Sequence, residues 1–178
     1  MPKAIRIHQT GGPEVLQWEE VEVPVPSAGE VQLRQTAVGL NFIDTYHRSG
    51  LYPTETLPVV LGMEGAGVVE NLGAGVDDLA VGDRVAYAGG PIGSYSEQRV
   101  IPADRLVKLP DTVDDRTAAA MMLKGLTTQY LVRHCYTVQA GDVVLVHAAA
   151  GGVGLLLCQW AKHLGATVIG TVGSPEKA

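Results

Sequence analysis

The clearest chemical signal in the chain is a run of small residues, Ala149-Ala150-Gly151-Gly152-Val153-Gly154. Small side chains let the backbone approach a pyrophosphate closely, and the N–H groups at the start of a following helix bind its negative charge. The run departs from the G-x-G-x-x-G pattern because Ala149 holds its first position. It therefore predicts a phosphate-binding turn only if a strand precedes it and a helix follows it.

The elements required around this run are present. Val143–His147 is a continuous apolar segment, typical of a strand that is buried on both faces of a parallel sheet. Apolar residues at helical spacing extend from Val153 to Leu164, Gly165 stops the helix, and Thr167–Val172 has the pattern of a second strand. Together they span about 30 residues, the length of one βαβ unit. We therefore predict the start of a dinucleotide-binding fold.

The residues after the second strand bear on which dinucleotide binds. An acidic residue there would hydrogen-bond a free ribose 2′-hydroxyl, whereas a basic residue would meet a 2′-phosphate. Gly173 and Ser174 stand where the acid is expected, and Lys177 can pair with phosphate, although Glu176 could be that acid. The pattern favours NADPH; the alternative is that Lys177 is only a solvated surface charge.

Composition and charge exclude several classes of protein. Apolar residues make up 46% of the chain and charged residues 18%, a balance typical of a soluble globular protein. The net charge of −6 makes nucleic acid an unlikely partner. No apolar stretch approaches a membrane span, and no signal peptide precedes the first strand. We therefore expect a cytoplasmic protein without a membrane partner.

The first half of the chain is predicted to be mainly β-structure. Strand patterns cover Leu16–Val23, Glu30–Gly39, Gly65–Val69 and Asp83–Ala88. Asn41–Ser49 breaks the alternation and predicts a short helix that ends at Gly50. Asp114 can cap a later helical region that ends near Tyr136, in which we predict two helices separated near Lys124-Gly125.

Together these motifs resemble the zinc-free quinone oxidoreductases, the zeta-crystallin group of the medium-chain dehydrogenase/reductase superfamily. The stretch from Gly141 to Lys162 fits that group's signature, and residues 11–16, 40–46, 48–53 and 82–85 are similar to it as well. The resemblance implies an α/β chain with a GroES-like β-barrel catalytic domain over residues 1–123. The first βαβ unit of a Rossmann domain would follow over residues 124–178. It also implies that the full-length protein is a homodimer.

The resemblance further implies which residues hold NADPH. The nicotinamide side would be lined by Phe42, Ile43, Asp44, Thr45, Tyr46 and Tyr130. Gly152-Val153 would hold the pyrophosphate within the turn Gly151–Gly154, and Gly173, Ser174 and Lys177 would surround the adenosine phosphate.

Two positions remove zinc from the expected chemistry. Zinc-dependent members of the superfamily use a cysteine and a Gly-His-Glu motif as metal ligands. Here Asn41 takes the cysteine position and Met63 the histidine position, and an amide and a thioether do not build a zinc site. We therefore predict no metal, and for the remaining Glu64 we expect capping or an internal salt bridge rather than catalysis.

Without a Lewis acid, reduction depends on positioning and on hydrogen-bond donors that face the oxygen becoming negative. The candidate donors are Asn41, Tyr46, Tyr52 and Thr127. The hypothesis is that NADPH gives a hydride, or an electron equivalent, to a quinone beside the Asn41–Tyr52 segment. Tyr46 would orient the quinone oxygen or serve only as an interfacial aromatic, and His47 is a weaker candidate for a proton relay.

The sequence leaves open other substrates than quinones and functions of another class. The substrate could be an enone, an enal or an enoyl thioester, which close relatives reduce with the same zinc-free cleft. A crystallin-like structural role or RNA binding would be a function of another class.

A complete doubly wound domain has about six strands, so we expect this chain to be a fragment whose apolar sheet faces are exposed.

Overall fold

The computed structural model describes all 178 residues, Met1–Ala178. The chain divides into two compact units, Met1–Met122 and Leu123–Ala178. That these units are the catalytic and the NADPH-binding domain, with the boundary near residue 123, stays a prediction. None of the helices is long and apolar enough to cross a membrane.

The first unit is built from two antiparallel sheets. Its strands are β1 (Lys3–Ile7), β2 (Gln17–Glu20), β3 (Glu30–Gly39), β4 (Val59–Val60), β5 (Glu64–Leu72), β6 (Arg84–Ala88), β7 (Gln98–Pro102) and β8 (Val107–Lys108). The larger sheet has the order β7-β3-β5-β6-β8, and the smaller has the order β2-β1-β4. Because β5 is a central strand, a side chain at its first residue can be covered by neighbours on both sides.

The core of the larger sheet follows the alternation predicted for β3. Val31 and Leu33 are fully buried and pack against Val69, whereas Arg34 lies on the opposite, exposed face. Register shifts in the pairing with β5 interrupt this pattern. Strict alternation would place Ala37 on the face of Val31 and Leu33. The β-bulge before it re-aims the strand, and Ala37 packs against a second cluster, which contains Ala118 and Ala119.

Between β3 and β4 the chain forms the predicted short helix, α1 (Phe42–Ser49). It ends at Gly50, whose φ of 84° is a left-handed conformation that favours glycine. The prediction of a short helix with a glycine stop is therefore confirmed. This helix begins three residues after the last residue of β3, and its N-cap residue Asn41 contacts Glu64 of the larger sheet.

The region after Asp114 is one helix, α2 (Asp115–Tyr130), so the predicted break near Lys124-Gly125 is wrong. An interior glycine costs a helix about 1 kcal/mol relative to alanine, too little to end a long helix by itself. The predicted cap is confirmed, because the Asp114 carboxylate accepts the Thr117 N–H at 2.9 Å. A π-helical turn, Leu131–Cys135, continues the helix.

The second unit contains a βαβ unit with β9 (Val143–Val146), α3 (Gly152–His163) and β10 (Thr167–Gly170), and its two strands are parallel. One face of this sheet packs against α3. The other face is open, since Val143 and Leu145 are 69% and 56% exposed. The expectation of a strand buried on both faces is therefore wrong for β9, whereas the expected exposure of apolar sheet residues is confirmed.

Asp115 links the start of α2 to the larger sheet. Its carboxylate accepts a hydrogen bond from the Thr36 hydroxyl at 2.6 Å and lies 2.6 Å from the Arg84 guanidinium. The hydrogen bond from Thr36, followed by the hydrogen bond and charge of Arg84, holds the pKa of Asp115 below its ordinary value of 3.8.

We expect the Asp115→Asn variant to be less stable than the wild type at pH 7 by about 1–2 kcal/mol, because it loses a charge-assisted network. Since folding lowers this pKa, the contribution is complete above pH 3.8 and is lost as the pH falls through the folded-state value. Urea unfolding of both proteins at pH 7 and well below pH 3.8 measures the difference in their free energies of unfolding. A difference that stays constant over this range would contradict the assignment.

Candidate functional site

The first residues of α1 form a capped helix start. Asn41 is a favoured N-cap residue, and Asp44 stands three positions later, where an acidic side chain can reach back. The Asp44 carboxylate oxygen Oδ2 accepts the backbone N–H of Asn41 at 2.9 Å. Both side chains are buried, so the cap also fixes two polar groups inside the first unit.

The side chain of Asn41 is held by Glu64. The amide nitrogen Nδ2 donates to the Glu64 carboxylate oxygen Oε2 at 2.7 Å. Glu64 is 0% exposed, and Gly39 lies opposite it in the β3–β5 register. A Cβ at residue 39 would overlap this carboxylate and the carbonyl oxygen of Ala119. The close approach therefore requires glycine at that position.

A second buried contact ties the loop before β7 to α1. The Tyr95 hydroxyl donates to Asp44 Oδ2 at 2.7 Å. Burial raises the pKa of Tyr95 far above its ordinary value, and the nearby carboxylates of Asp44 and Glu64 raise it further. This tyrosine therefore stays a neutral hydrogen-bond donor. The other carboxylate oxygen of Asp44, Oδ1, and both ring nitrogens of His47 are buried without a hydrogen-bond partner.

Aromatic rings surround the outer face of α1. The rings of Tyr46 and Tyr52 are 5.2 Å apart, and those of Phe42 and Tyr46 are 5.8 Å apart. The backbone N–H of Tyr52 donates to the Tyr46 carbonyl at 3.1 Å, which fixes the segment after the helix. Phe42 is 78% exposed and Tyr52 46% exposed, so this face offers flat apolar surface to a planar ligand.

The glycine-rich turn of the second unit lies between β9 and α3. The N–H of Gly151 donates to the Ala148 carbonyl at 2.8 Å, and α3 begins at Gly152. Ala148 has a φ of 55°, a strained value for a residue with a side chain. A Cβ on Gly154 would overlap the Ala148 carbonyl oxygen. The turn is therefore compact, and it presents the first N–H groups of α3.

The residues predicted at the adenosine phosphate follow β10 on an exposed turn. Pro175–Lys177 is a 3-10 helical turn, and a Cβ on Gly173 would have no atom within 4 Å. A hydrogen bond from the Ser174 side chain holds the pKa of Glu176 below its ordinary value. Lys177 is exposed and can reach an anion at this turn.

Comparisons with known proteins agree with this arrangement. Residues 27–111 match the alcohol dehydrogenase GroES-like domain. The chain is 58% identical over its whole length to a quinone oxidoreductase of Pseudomonas aeruginosa. It is 50% identical to a 2-haloacrylate reductase of Burkholderia sp, again over the whole chain.

Solved structures give the same result. All of this chain superposes with a TM-score of 0.98, at 59% identity, on 55% of a quinone oxidoreductase of Pseudomonas syringae. Of this chain, 99% superposes with a TM-score of 0.96, at 50% identity, on 54% of the Escherichia coli quinone oxidoreductase complexed with NADPH. Over its whole length the chain is therefore similar to quinone oxidoreductases. It spans 55% of the length of the Pseudomonas aeruginosa relative.

The expected fold class, a GroES-like domain followed by a Rossmann-type βαβ start, is therefore confirmed. The first unit brings Asn41, Asp44, Tyr46 and Tyr52 together on and beside α1. Ile43 and Thr45 lie on the same helix, where the Thr45 hydroxyl donates to the Phe42 carbonyl at 2.6 Å.

The second unit holds the other predicted residues. Thr127 and Tyr130 lie on α2, and the Thr127 hydroxyl donates to the Leu123 carbonyl at 2.8 Å. Tyr130 is 58% exposed and stacks on His134 with ring centroids 5.9 Å apart. The hydroxyl hydrogen of Thr127 is therefore already used within the helix, which weakens the case for Thr127 as a donor to substrate.

Two members of the buried cluster were missed from the sequence. Tyr95 was not considered, and Glu64 was not expected to contact Asn41. They are 54 and 23 residues away from Asn41, and no local spacing connects them. The Gly-Met-Glu motif could have pointed to Glu64 as part of the site, because its glutamate is present although the metal-ligating residues are not.

An apolar hollow of about 490 Å³ lies beside this cluster without belonging to it. It is lined by residues such as Ile5, Trp18 and Val38, and it meets the cluster only through Tyr95. None of the predicted donors lines it. The candidate site is therefore the hydrogen-bonded cluster and not this hollow.

Proposed function

We propose that the protein reduces quinones with NADPH and without a catalytic metal. The observation that carries this proposal is the buried amide of Asn41, held 2.7 Å from Glu64 at the position where zinc-dependent relatives have a cysteine ligand. An amide offers an N–H donor to an oxygen that gains negative charge, whereas it is a poor zinc ligand. Identity of 58% to a quinone oxidoreductase supports this choice of substrate class.

The residues fit the proposed cofactor. The compact turn Gly151–Gly154 and the first N–H groups of α3 would hold the pyrophosphate. Gly173, Ser174 and Lys177 would surround the adenosine phosphate, and Phe42–Tyr46 with Tyr130 would line the nicotinamide. NADPH supplies the hydride, or an electron equivalent, when it is bound. The related Escherichia coli enzyme complexed with NADPH, 50% identical, supports the assignment.

The protein's own donors would act on the quinone. The Asn41 amide has a second N–H beyond the one given to Glu64, and the rings of Tyr46 and Tyr52, 5.2 Å apart, each carry a hydroxyl donor. Donors fixed before the reaction stabilise the developing oxyanion without reorganising during it. The exposed ring of Phe42 would add flat apolar contact to a planar quinone.

Replacing Lys177 with alanine is expected to weaken NADPH binding about tenfold, because one charge-assisted contact to the 2′-phosphate is lost. NADH lacks that phosphate, so its affinity should not change. Fluorescence titration of both proteins with both dinucleotides measures this, and Lys162→Ala, on α3 of the same unit, is the control. An equal loss for NADPH and NADH would contradict the role of Lys177.

Activated alkenes are a second candidate substrate class. The specific observation is the 50% identity to a 2-haloacrylate reductase over the whole chain. Steady-state rates with NADPH and 1,4-benzoquinone, an alkenal, an enoyl thioester or 2-chloroacrylate separate the candidates. The highest kcat/KM for benzoquinone is expected; a highest value for one of the alkenes would replace quinone reduction as the function.

Metal removal gives a further prediction. Because Asn41 and Met63 replace the metal-ligating residues, dialysis against a strong chelator should leave benzoquinone turnover unchanged. Metal analysis of the dialysed protein provides the control that any bound ion has been removed. Loss of turnover that added zinc restores would contradict metal-free reduction.

We also propose that the whole protein is a cytoplasmic homodimer that acts on small molecules. The net charge of −6 argues against nucleic acid as a main partner. Analytical ultracentrifugation tests the oligomeric state, and a salt-dependent RNA affinity would favour the different role of an RNA-binding protein.

A further inference from the structure

We infer that Glu64 is a positioning residue, which selects the orientation of the Asn41 amide and so keeps one N–H directed at the substrate oxygen. The inference rests on the proposed function, in which Asn41 is a donor to the quinone. It assigns to Glu64 a role in the reaction rather than in stability alone.

The fold provides a specific place for this carboxylate. Glu64 is the first residue of the central strand β5, and its cross-strand neighbours are Gly39 on β3 and Ala88 on β6. Both neighbours are small, and a side chain at residue 39 would overlap the carboxylate. The glutamate is completely buried. The register therefore leaves room for one large polar side chain at this end of the sheet, directly beside Asn41.

The chemistry of the pair sets the direction of the amide. A carboxylate oxygen accepts hydrogen bonds, so the amide nitrogen of Asn41, and not its oxygen, faces Glu64. The observed contact, Nδ2 to Oε2 at 2.7 Å, has this arrangement. The backbone N–H of Asn41 is fixed by Asp44 in the same way. With both ends held, the second side-chain N–H of Asn41 points in one direction.

The energetic cost of the arrangement supports a functional role. Burying a carboxylate disfavours folding even when it is hydrogen-bonded, and an apolar residue of similar size often packs equally well. Glu64 is 0% exposed, so its carboxylate is completely removed from water. Packing alone therefore does not explain why a glutamate occupies this position. Its role as the acceptor that orients the Asn41 amide does.

The test is a double-mutant cycle with Glu64→Leu and Asn41→Ala, measured as benzoquinone turnover. Glu64→Leu should lower kcat about tenfold with little change in KM, because a misdirected donor mainly fails to stabilise the transition state. In the Asn41→Ala background it should cause no further loss. Glu64→Gln should recover most of kcat, since its carbonyl oxygen can still accept from Asn41. Glu70→Gln, on the same strand, is the matched control.

A readout that does not depend on turnover separates the two proposals. In a ¹H–¹⁵N spectrum the side-chain amide signals of Asn41 should be resolved from those of exposed amides and protected from hydrogen exchange with solvent. They should persist in Glu64→Gln. In Glu64→Leu they should shift and lose this protection. If Glu64→Leu does not fold, loss of these signals and of kcat in Glu64→Gln would overturn the inference. Additive effects on kcat would also overturn it. Full turnover in Asn41→Ala would overturn the inference as well, because Asn41 would then not be a donor to the quinone. If instead the wild type does not reduce benzoquinone, the proposed function fails, whereas the response of the Asn41 signals to Glu64 still tests the orientation of the amide.

Discussion

Replacing Asn41 with alanine is expected to lower kcat for 1,4-benzoquinone about 100-fold, the effect typical of removing one donor from an oxyanion site. The reason is that Asn41 offers a buried and oriented N–H, held through its 2.7 Å bond to Glu64, and alanine offers none. KM should change little, because the contact strengthens only as the oxygen becomes negative. Steady-state kinetics with saturating NADPH measure both constants.

The matched control for this prediction is Asn71→Ala. The Asn71 amide donates to Gln32 at 2.7 Å on the exposed side of the same sheet, so its loss should leave kcat unchanged. Tyr46→Phe tests the neighbouring donor and should have a smaller effect, since the ring keeps its packing against Tyr52. If Asn41→Ala and Tyr46→Phe both leave quinone turnover unchanged, the assignment of these donors is wrong.

Replacing Gly154 with alanine is expected to weaken NADPH binding about 100-fold. The added Cβ would overlap the Ala148 carbonyl oxygen, and this backbone atom cannot move without opening the turn. Relieving such an overlap costs about 1–3 kcal/mol, which corresponds to factors of about 5 to 150 in affinity. The N–H groups at the start of α3 would then no longer point at a common anion. Isothermal titration with NADPH measures the affinity.

Gly125→Ala is the control for this substitution, because Gly125 lies in the same unit on α2 and a Cβ there meets no atom within 4 Å. It should leave NADPH affinity unchanged and should stabilise the protein by up to about 1 kcal/mol, the helix preference of alanine over glycine. Circular dichroism of the Gly154 variant shows whether the unit is still folded. Unchanged NADPH affinity in folded Gly154→Ala would contradict a phosphate-binding role for the turn.

Local sequence patterns predicted most of the elements that carry the site. The apolar segment from Val143, the glycines of the turn and the helical spacing to Leu164 lie close together along the chain, so one βαβ unit could be deduced from them. The same holds for α1, whose cap at Asn41 and stop at Gly50 are local signals. The structure has both elements within a few residues of the predicted bounds.

Features that depend on tertiary context could not be predicted. Whether Gly125 breaks a helix depends on what packs around α2, and the exposure of Val143 depends on which elements cover the sheet. The bond between Asn41 and Glu64 arises from the register of β3 with β5, which has two irregularities. Tyr95 reaches Asp44 from a loop that no motif links to α1.

Titration of the protein with NADPH and with NADH tests the central claim most directly, because the turn before α3 and Lys177 are both proposed to bind the cofactor, whichever substrate follows. We predict that NADPH binds at least about tenfold more tightly than NADH, the difference that one phosphate contact provides. We also predict that added 1,4-benzoquinone then oxidises the bound NADPH. Failure to bind NADPH, or equal or tighter binding of NADH, would contradict the account.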